Sequence, residues 1–371
     1  MLPGGGARAA YQVGVLKSIA AALPPSIKVP FPIICGVSAG AINAAKLATH
    51  GADFREGVVK LERLWADLSV DRIFRTDAAT MVRTSARWFW GMFRGLNRAG
   101  VRSLLDNQPL RELLEHEVDF TAAQAAIDSG ALRAVALTAA GYTSARSITF
   151  FQAEMGWPGW DRMRRHGRTE MLTVEHVMAS TAIPVIFPAA RLDNEWYGDG
   201  SMRQSAPLSP AIHLGADRML IIAVRNEDPN AVDPRDPPAY PSFGQVAGYV
   251  LDSLFMDSVY SDIERLRRIN HSVSQMPSAR SAGPAHDLRQ VDARIVVPSA
   301  DIRDLALKHQ RAFPRTVRTL LGLIGARGLA GRQLMSYLLF AAPYTRELIA
   351  LGEADGRTRI DELMPWLLGE R

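Results

Sequence analysis

Residues 31–50 read FPIICGVSAGAINAAKLATH, and this stretch decides the fold. Residues 31–35 are a short apolar run, which predicts a buried strand ending at Gly36. Residues 39–50 are rich in alanine and predict a helix. Ser38 stands between them in a G-x-S-x-G pattern, in which a tight strand-to-helix turn strains the serine and exposes its hydroxyl. The helix N-terminus beyond it favours developing negative charge. The stretch therefore predicts a nucleophilic serine on an α/β fold.

Gly36 and Gly40 flank this serine and carry no side chains that would clash in so sharp a turn. We expect both glycines to support the turn. Five-residue patterns occur by chance, so the strand–turn–helix setting gives this pattern its weight.

Outward from the turn, helical and strand patterns alternate over residues 1–225. Helices are predicted at 9–23 and 54–68, and strands at 132–138, 147–151 and 218–224. Such alternation predicts a mostly parallel sheet covered by helices on both faces.

The rest of the chain has a different pattern. Residues 226–241 are rich in Pro, Asp and Asn and predict a linker or surface loop. Residues 242–371 predict a mainly helical C-terminal extension packed on the first domain. Its predicted helices are 246–269, 314–324 and 332–351, with one strand at 294–298.

Composition narrows the function classes. The 371 residues carry 43 Lys and Arg against 38 Asp and Glu, a net charge of +5 that is too mild to predict a nucleic-acid partner. The one cysteine, Cys35, allows no intrachain disulfide, which predicts a reducing compartment. Cys35 itself is expected to be a buried packing residue without a catalytic role. Neither a signal peptide nor an apolar stretch long enough to span a membrane is found in the sequence, so a cytoplasmic location is expected.

A hydrolytic serine needs a base. None of the eight histidines stands in a motif-like setting, so each is expected on the surface or satisfied in the core. A better candidate is Asp199 in the sequence WYGDG at 196–200, because glycines on both sides free the backbone to aim a short carboxylate inward. The alternative interpretation is an Asp-Gly turn at a strand end.

Residues 4–8, GGGAR, come just before the first predicted helix. A glycine-rich loop at a helix N-terminus presents several backbone N–H groups to an anion, and in an acyl hydrolase these would form the oxyanion hole. A nucleotide-binding loop is the alternative, since Gly4, Gly6 and Ala9 fit G-x-G-x-x-A. That alternative is weak, because almost no strand precedes the loop and no convincing ribose-binding acid follows it.

Together these blocks resemble the patatin-like phospholipases. Residues 4–8 are similar to that family's G-G-G-x-R oxyanion motif, residues 36–40 to its nucleophile elbow, and residues 199–200 to its D-G motif. Further similar blocks are found at 103–110, 179–188 and 207–217. The resemblance is dense over residues 1–225, and three spaced motifs coincide in the right order. Residues 336–340 are reminiscent of an extension in bacterial members.

The resemblance implies a three-layer α/β/α sandwich that hydrolyses lipid acyl esters without a histidine, a cofactor or a metal. It carries over Ser38 as the nucleophile and Asp199 as the base. The resemblance also assigns oxyanion donors and supporting residues: the amides of Gly4, Gly5 and Gly6, and then Arg8, Gly36, Gly40 and Gly200. The implied partner is a phospholipid or another acyl-ester lipid. Phospholipid, lysophospholipid, triacylglycerol and simple esters all need the same dyad, so the lipid class stays open.

The sequence departs from the family pattern in three places. Only residues 1–3 precede the glycine loop, where the family has a whole strand, so the loop is expected to be held less firmly. Ala9 follows Arg8 where glycine is common, and Ser201 follows Gly200 where glycine or alanine is usual. Both residues are small and are expected to be tolerated.

Residues 83–98 predict a basic amphipathic helix with aromatic residues, which is typical of an interfacial helix or an active-site lid. Its two faces carry Arg83, Arg87, Arg94 and Arg98 on one side, and Trp88, Phe89, Met92, Phe93 and Leu96 on the other. Peripheral contact with the inner face of the membrane is the corresponding expectation. The alternative is a helix packed on its own domain, with its arginines in water.

Three functions remain open. A lipid acyl hydrolase accounts for all three motifs. A catalytically silent lipid-binding or regulatory protein on the same fold is the first alternative, and a nucleotide-dependent enzyme that uses the glycine loop is the second.

Overall fold

The structure, a computed structural model, describes residues 1–77, 80, 103–225, 240–275 and 289–369. The amphipathic segment predicted at 83–98 lies outside the described residues, as does nearly all of the linker predicted at 226–241. Both therefore stay predictions.

A large mixed sheet forms the centre of the fold. Its strands are β1 (Ile33–Val37), β2 (Ala134–Gly141), β3 (Ser147–Ala153), β4 (Trp160–Arg162), β5 (Arg165–Thr169), β6 (Ala190–Leu192) and β7 (Glu195–Asp199). They lie in the order β4-β5-β3-β2-β7-β6, with β1 also beside β2. A smaller sheet pairs β8 (Arg218–Ile222) in parallel with β9 (Asp292–Val296).

Helices cover the large sheet on both sides. In chain order the described α-helices are α1 (Ala10–Ala22), α2 (Ala39–Thr49), α3 (Phe54–Ala66), α4 (Gln108–Glu117), α5 (Phe120–Asp128), α6 (Val174–Ser180), α7 (Ser209–His213), α8 (Phe243–Asp252), α9 (Ser258–Ser274), α10 (Ile302–Lys308), α11 (Arg315–Leu323), α12 (Gly328–Leu338), α13 (Ala342–Thr358) and α14 (Ile360–Leu368). The predicted three-layer α/β/α class is confirmed.

The strand directions correct one part of that prediction, because the sheet is not mostly parallel. β1 pairs with β2 and β3 with β5 in parallel, whereas β2–β3, β2–β7, β4–β5 and β6–β7 are antiparallel. The reason lies in the connections. Residues 142–146, 163–164 and 193–194 are far too short for the crossover that a parallel neighbour needs, so they close hairpins.

Two predicted C-terminal helices are each divided. Residues 246–269 fall on α8 and α9, which are separated by a π-helical segment, Ser253–Asp257. Residues 332–351 fall on α12 and α13, with a break at 339–341. Pro343 stands at the start of α13, where its missing N–H is tolerated, whereas one continuous helix would put the proline in its interior.

The C-terminal helices pack directly on the N-terminal part of the chain. A methyl group added to Gly14 of α1 would lie 2.0 Å from the carbonyl oxygen of Ile349, so α1 and α13 meet backbone to backbone. The Tyr11 hydroxyl also donates to Asp355 Oδ2 over 2.9 Å. The predicted division of the chain into domains stays a prediction.

Residues 1 and 2 lie between the two sheets. The Met1 nitrogen donates to the carbonyl oxygen of Leu220 in β8 over 2.7 Å. The Leu2 N–H donates to Cys35 O over 2.8 Å, and Val37 N–H donates to Leu2 O over 3.1 Å. These backbone hydrogen bonds anchor the approach to the glycine loop on β1 and β8.

Candidate active site

β2 places the two predicted site residues side by side. Its Thr138 pairs with Val37 of β1, and its next residue, Ala139, pairs with Asp199 of β7. β3 occupies the other edge of β2, so β1 and β7 lie end to end along one edge. Ser38 follows Val37 directly, and the carboxylate of Asp199 therefore lies next to the serine turn.

Ser38 has a strained backbone, with φ 53° and ψ −129°. Positive φ is rare for a residue other than glycine and clusters at functional sites. The serine is 2% exposed, and its N–H donates to the Oγ of Ser180 over 2.9 Å. Ser180 Oγ in turn donates to Thr138 O over 2.7 Å. A buried side chain from α6 thus ties the serine turn to β2.

Asp199 is an equally buried carboxyl group, 2% exposed. Its Oδ1 accepts a hydrogen bond from Ser201 N–H over 2.9 Å, whereas its Oδ2 accepts none of normal geometry from the described residues. Desolvation by burial raises the pKa of Asp199 to about 6, against the lowering influence of the nearby Ser38 hydroxyl and of Ser201. A buried carboxylate with a free oxygen and a raised pKa is a competent proton acceptor near neutral pH.

The glycine loop carries backbone amides that are not paired by any described residue. The N–H groups of Gly4, Gly5 and Gly6 are buried, and no acceptor among the described residues pairs with them. Buried backbone donors are nearly always paired, so three in a row need an explanation. A bound oxyanion is the kind of acceptor that would satisfy them.

The conformation of the loop requires glycine at one of these positions. Gly6 has φ 55°, and a methyl group there would lie 2.2 Å from the carbonyl oxygen of Tyr337. On the other side, a methyl group on Gly4 would lie 2.9 Å from Ser201 Oγ. The loop is therefore enclosed between α12 and the turn that follows Asp199.

The predicted supporting glycines lie where backbones cross. A methyl group on Gly40 would lie 2.0 Å from Leu2 O, and one on Gly200 would lie 2.1 Å from Thr138 O. Gly36 likewise faces the carbonyl oxygen of Gly40. The close approach at Gly40 packs the serine turn against the residues that lead into the glycine loop. The close approach at Gly200 packs the turn after Asp199 against β2.

Arg8 is buried under the glycine loop, at 1% exposure, and binds residues far along the chain. Its Nη1 donates to Asp252 Oδ1 over 2.9 Å and to Tyr337 Oη over 3.0 Å, and its Nε donates to Ser336 Oγ over 2.9 Å. The guanidinium lies 3.8 Å from the ring centroid of Tyr337. The C-terminal helices thereby hold the residue that closes the GGGAR motif.

A second buried network holds the start of the loop. Gln12 Nε2 donates to Pro3 O over 2.9 Å, and Asn43 Nδ2 donates to Gln12 Oε1 over 2.8 Å. Asn43 Oδ1 accepts from Trp65 Nε1 over 2.6 Å. Helices α1, α2 and α3 are thus joined to the residue that precedes Gly4.

Sequence reasoning missed several of these residues. Ser180 lies in a block similar to the family, at 179–188, but its spacing from Ser38 gives no signal of contact. Asp252, Ser336 and Tyr337 lie more than 240 positions from Arg8, and no local pattern connects them. Within the described residues, no group of three or more His, Cys, Asp or Glu side chains converges in the way metal ligands do.

The fold and the three motif blocks together define an α/β/α protein with a serine at a strand-to-helix turn. The family model for patatin-like phospholipase matches residues 1–212, more than half of the chain, and the chain therefore belongs to the patatin-like phospholipase family. This is a family of lipid acyl hydrolases, whose members are generally serine esterases and phospholipases. The comparison with curated proteins gives no match. None of the described helices is long and apolar enough to cross a membrane.

Proposed function

We propose that this protein hydrolyses the acyl ester bonds of lipids with Ser38 as its nucleophile and Asp199 as its base. The observation that carries the proposal is the pairing of Val37 and Asp199 with consecutive residues of β2. It puts a strained serine beside a buried carboxyl group, one oxygen of which accepts no hydrogen bond of normal geometry from the described residues.

In the first step, Asp199 takes the proton of the Ser38 hydroxyl as Oγ attacks the ester carbonyl carbon. The carbonyl π electrons move to oxygen, and the amides of Gly4, Gly5 and Gly6 donate hydrogen bonds to the resulting oxyanion. Such donors each contribute on the order of 10²–10³ in rate. The tetrahedral intermediate then collapses, the carbon–oxygen bond to the alcohol breaks, and Asp199 returns the proton to the leaving oxygen.

The acyl group then remains on Ser38 until water removes it. Asp199 takes a proton from the water as the water oxygen attacks the acyl carbonyl. Collapse of the second intermediate releases the fatty acid, and the proton returns to Ser38 Oγ. The burial of Asp199 matters in both acylation and deacylation, because a carboxylate is a weak base unless desolvation raises its pKa.

The alternative of a silent lipid-binding protein has less support. Both reacting groups are present, and the residues before the glycine loop are anchored on β1 and β8 despite the short strand. The acyl chain length, the ester position and the lipid class depend on the substrate pocket and are the first properties to assay once activity is measured.

The test is hydrolysis of p-nitrophenyl esters, beside Ser38→Ala, Asp199→Asn and the control Ser129→Ala, which removes an exposed hydroxyl in a distant turn. We expect both site variants to lose about 10³-fold or more in kcat, as residues that act as a unit do, and the control to keep full activity. A fluorophosphonate should label the wild type and the Ser129→Ala control, label Asp199→Asn far more slowly because the base is missing, and leave Ser38→Ala unlabelled. Labelling that persists in Ser38→Ala would contradict the assignment of Ser38 as the nucleophile. Turnover that persists in Asp199→Asn would contradict the assignment of Asp199 as the base. A lipid-binding protein with no labelling at all would favour the silent alternative.

A further inference from the structure

Helix α8 carries most of its large apolar residues on its solvent-exposed face, whereas a helix that packs only on its own protein would bury them. At 100° per residue, Phe243, Val246, Tyr249 and Val250 fall within one 120° arc. This face is exposed, with Phe243 and Tyr249 each at 68%. The opposite face is buried against α12 and its neighbours, and two of its four residues are glycines: Gly244, Gly248, Leu251 and Asp252.

Two more exposed leucines flank the place where α8 begins. The Gly244 N–H donates to Ile324 O over 2.8 Å, so α8 starts against the connection between α11 and α12. Leu323 precedes this connection and Leu329 follows it, and they are 80% and 70% exposed. Large exposed apolar clusters of this kind mark interaction sites.

The segment that carries Leu323 and Leu329 is basic, and α8 itself adds no acidic residue before Asp252. Residues 305–346 contain no Asp or Glu, and residues 240–251 contain no charged residue at all. Lys308 and Arg332, which bound the middle of the first stretch, and Arg346 at its end have acidic partners. The basic residues in its middle are exposed and have no acidic partner among the described residues: Arg311, Arg315, Arg318 and Arg327.

The same helix reaches the candidate active site. Asp252, the last residue of α8, accepts the hydrogen bond of Arg8 at the glycine loop. Phe255, in the π-helical segment that follows, lies against Gly4, where an added methyl group would come within 2.6 Å of its ring. The exposed face therefore lies one helix, about 15 Å in length, from the proposed oxyanion donors.

We propose that the exposed face of α8, with Leu323, Leu329 and the arginines of α11 and its C-terminal connection, docks the protein on an anionic lipid surface. Aromatic and aliphatic side chains enter the interface while arginines bind lipid phosphates, the combination by which peripheral proteins hold anionic membranes. A second copy of the chain fits less well, since a two-fold contact would bring the unpaired arginines of both copies together. This inference rests on the proposed function, because it names the surface through which a lipid hydrolase meets its substrate.

The experiment measures co-sedimentation with vesicles of phosphatidylcholine, either alone or mixed with phosphatidylglycerol. The Ser38→Ala protein is used so that the lipids stay intact. The apolar variant adds Phe243→Ser and Tyr249→Ser, and the charge variant adds Arg315→Gln and Arg318→Gln. The matched control adds Met155→Ser and Met163→Ser, since these methionines are 99% and 90% exposed on the β3–β5 side of the fold.

We expect binding to the mixed vesicles, a loss of about tenfold or more in the apolar variant, and a loss of about fivefold per arginine at low salt in the charge variant. The control should bind as the parent does. Absence of binding to mixed vesicles would overturn the proposal, and so would equal binding by the apolar variant and the parent. The proposal also falls if light scattering finds a dimer that only the apolar variant breaks, or if substitutions within residues 83–98 abolish binding while the α8 variant does not.

Hydrolysis of a water-soluble ester by proteins that keep Ser38 separates this inference from the proposed function. The α8 substitutions should leave that activity unchanged, because Phe243 and Tyr249 are exposed to solvent, whereas the glycine loop is contacted by Asp252 and Phe255. Vesicle binding that depends on the α8 face, without ester hydrolysis by the protein that keeps Ser38, would uphold the docking surface and refute the hydrolase. Ester hydrolysis without vesicle binding would support the hydrolase and refute the docking surface.

Discussion

The N–H of Ser38 donates to the Oγ of Ser180 over 2.9 Å. Ser180 is completely buried, and its hydroxyl in turn donates a hydrogen bond to Thr138 O. Thr138 pairs with Val37, and its neighbour Ala139 pairs with Asp199. One hydroxyl therefore fixes the strained turn to the same strand that positions the carboxylate.

Ser180→Ala should lower turnover more than substrate binding. The change leaves the buried Ser38 amide without its acceptor, at a cost of about 1–3 kcal/mol in the free energy of unfolding. We expect kcat for a p-nitrophenyl ester to fall about tenfold or more, with little change in KM, because the turn that presents Ser38 loses its tie to β2. Steady-state kinetics and thermal melts measure the two effects.

Thr181→Ala is the matched control for this prediction. Thr181 is buried next to Ser180, but among the described residues its hydroxyl donates to carbonyl oxygens of its own helix and to no other acceptor. It should lose some stability while keeping kcat. If the two variants lose kcat equally, Ser180 has no positioning role.

The pH profile of activity should report the buried carboxyl group. Asp199 can accept a proton only when ionised, and burial raises its pKa to about 6. Activity should therefore be constant at neutral pH and fall about tenfold per unit once the pH drops below about 6. An aspartate in water would stay ionised down to about pH 4. A kcat/KM profile that stays flat to pH 4.5 or below would contradict the burial argument.

Asp199→Asn should make the protein more stable at neutral pH while it inactivates the site. The rise of the pKa from 3.8 to about 6 means that folding disfavours the ionised form, by about 3 kcal/mol at neutral pH. The native state binds this proton more tightly than the unfolded state, so wild-type stability falls as the pH rises from about 4 to about 6. The neutral amide escapes that loss.

Denaturant melts at several pH values measure this difference. The variant should gain on the wild type as the pH rises through this window and show little advantage at pH 4. If the variant is less stable than the wild type at pH 8, burial does not disfavour the ionised form of the Asp199 carboxyl group.

Gly6→Ala should cost more than backbone strain alone explains. Its φ of 55° costs about 1–2 kcal/mol for a residue with a Cβ, and the added methyl group would also strike Tyr337 O. We expect a clear loss of thermal stability together with a large loss of kcat, since the loop must move to relieve the clash.

Gly130→Ala supplies the comparison for this prediction. Gly130 has φ 76° and nothing within 4 Å of an added methyl group, so only the strain applies. It should lose about 1 kcal/mol of stability and no activity. Equal effects in the two variants would show that the Gly6 contact with Tyr337 has no consequence.

The sequence by itself determined the local features. An apolar run followed by G-x-S-x-G and an alanine-rich segment is enough for β1, the serine turn and α2, because strand and helix periodicity and turn geometry act over a few residues. The same holds for α1, α3 and α11, whose ends lie within two residues of the predicted ones. The three motif blocks were also sufficient to indicate the family.

Only the tertiary structure decided how these pieces meet. The mixed strand directions depend in part on hairpins between strands of three to five residues, such as β4–β5 and β6–β7, which are too short to show a periodic sequence pattern. The contacts of Ser180 with Ser38 and of Asp252 with Arg8 join positions 142 and 244 residues apart. Such contacts arise from packing, in which burial selects the partner of a polar group whatever its distance along the chain.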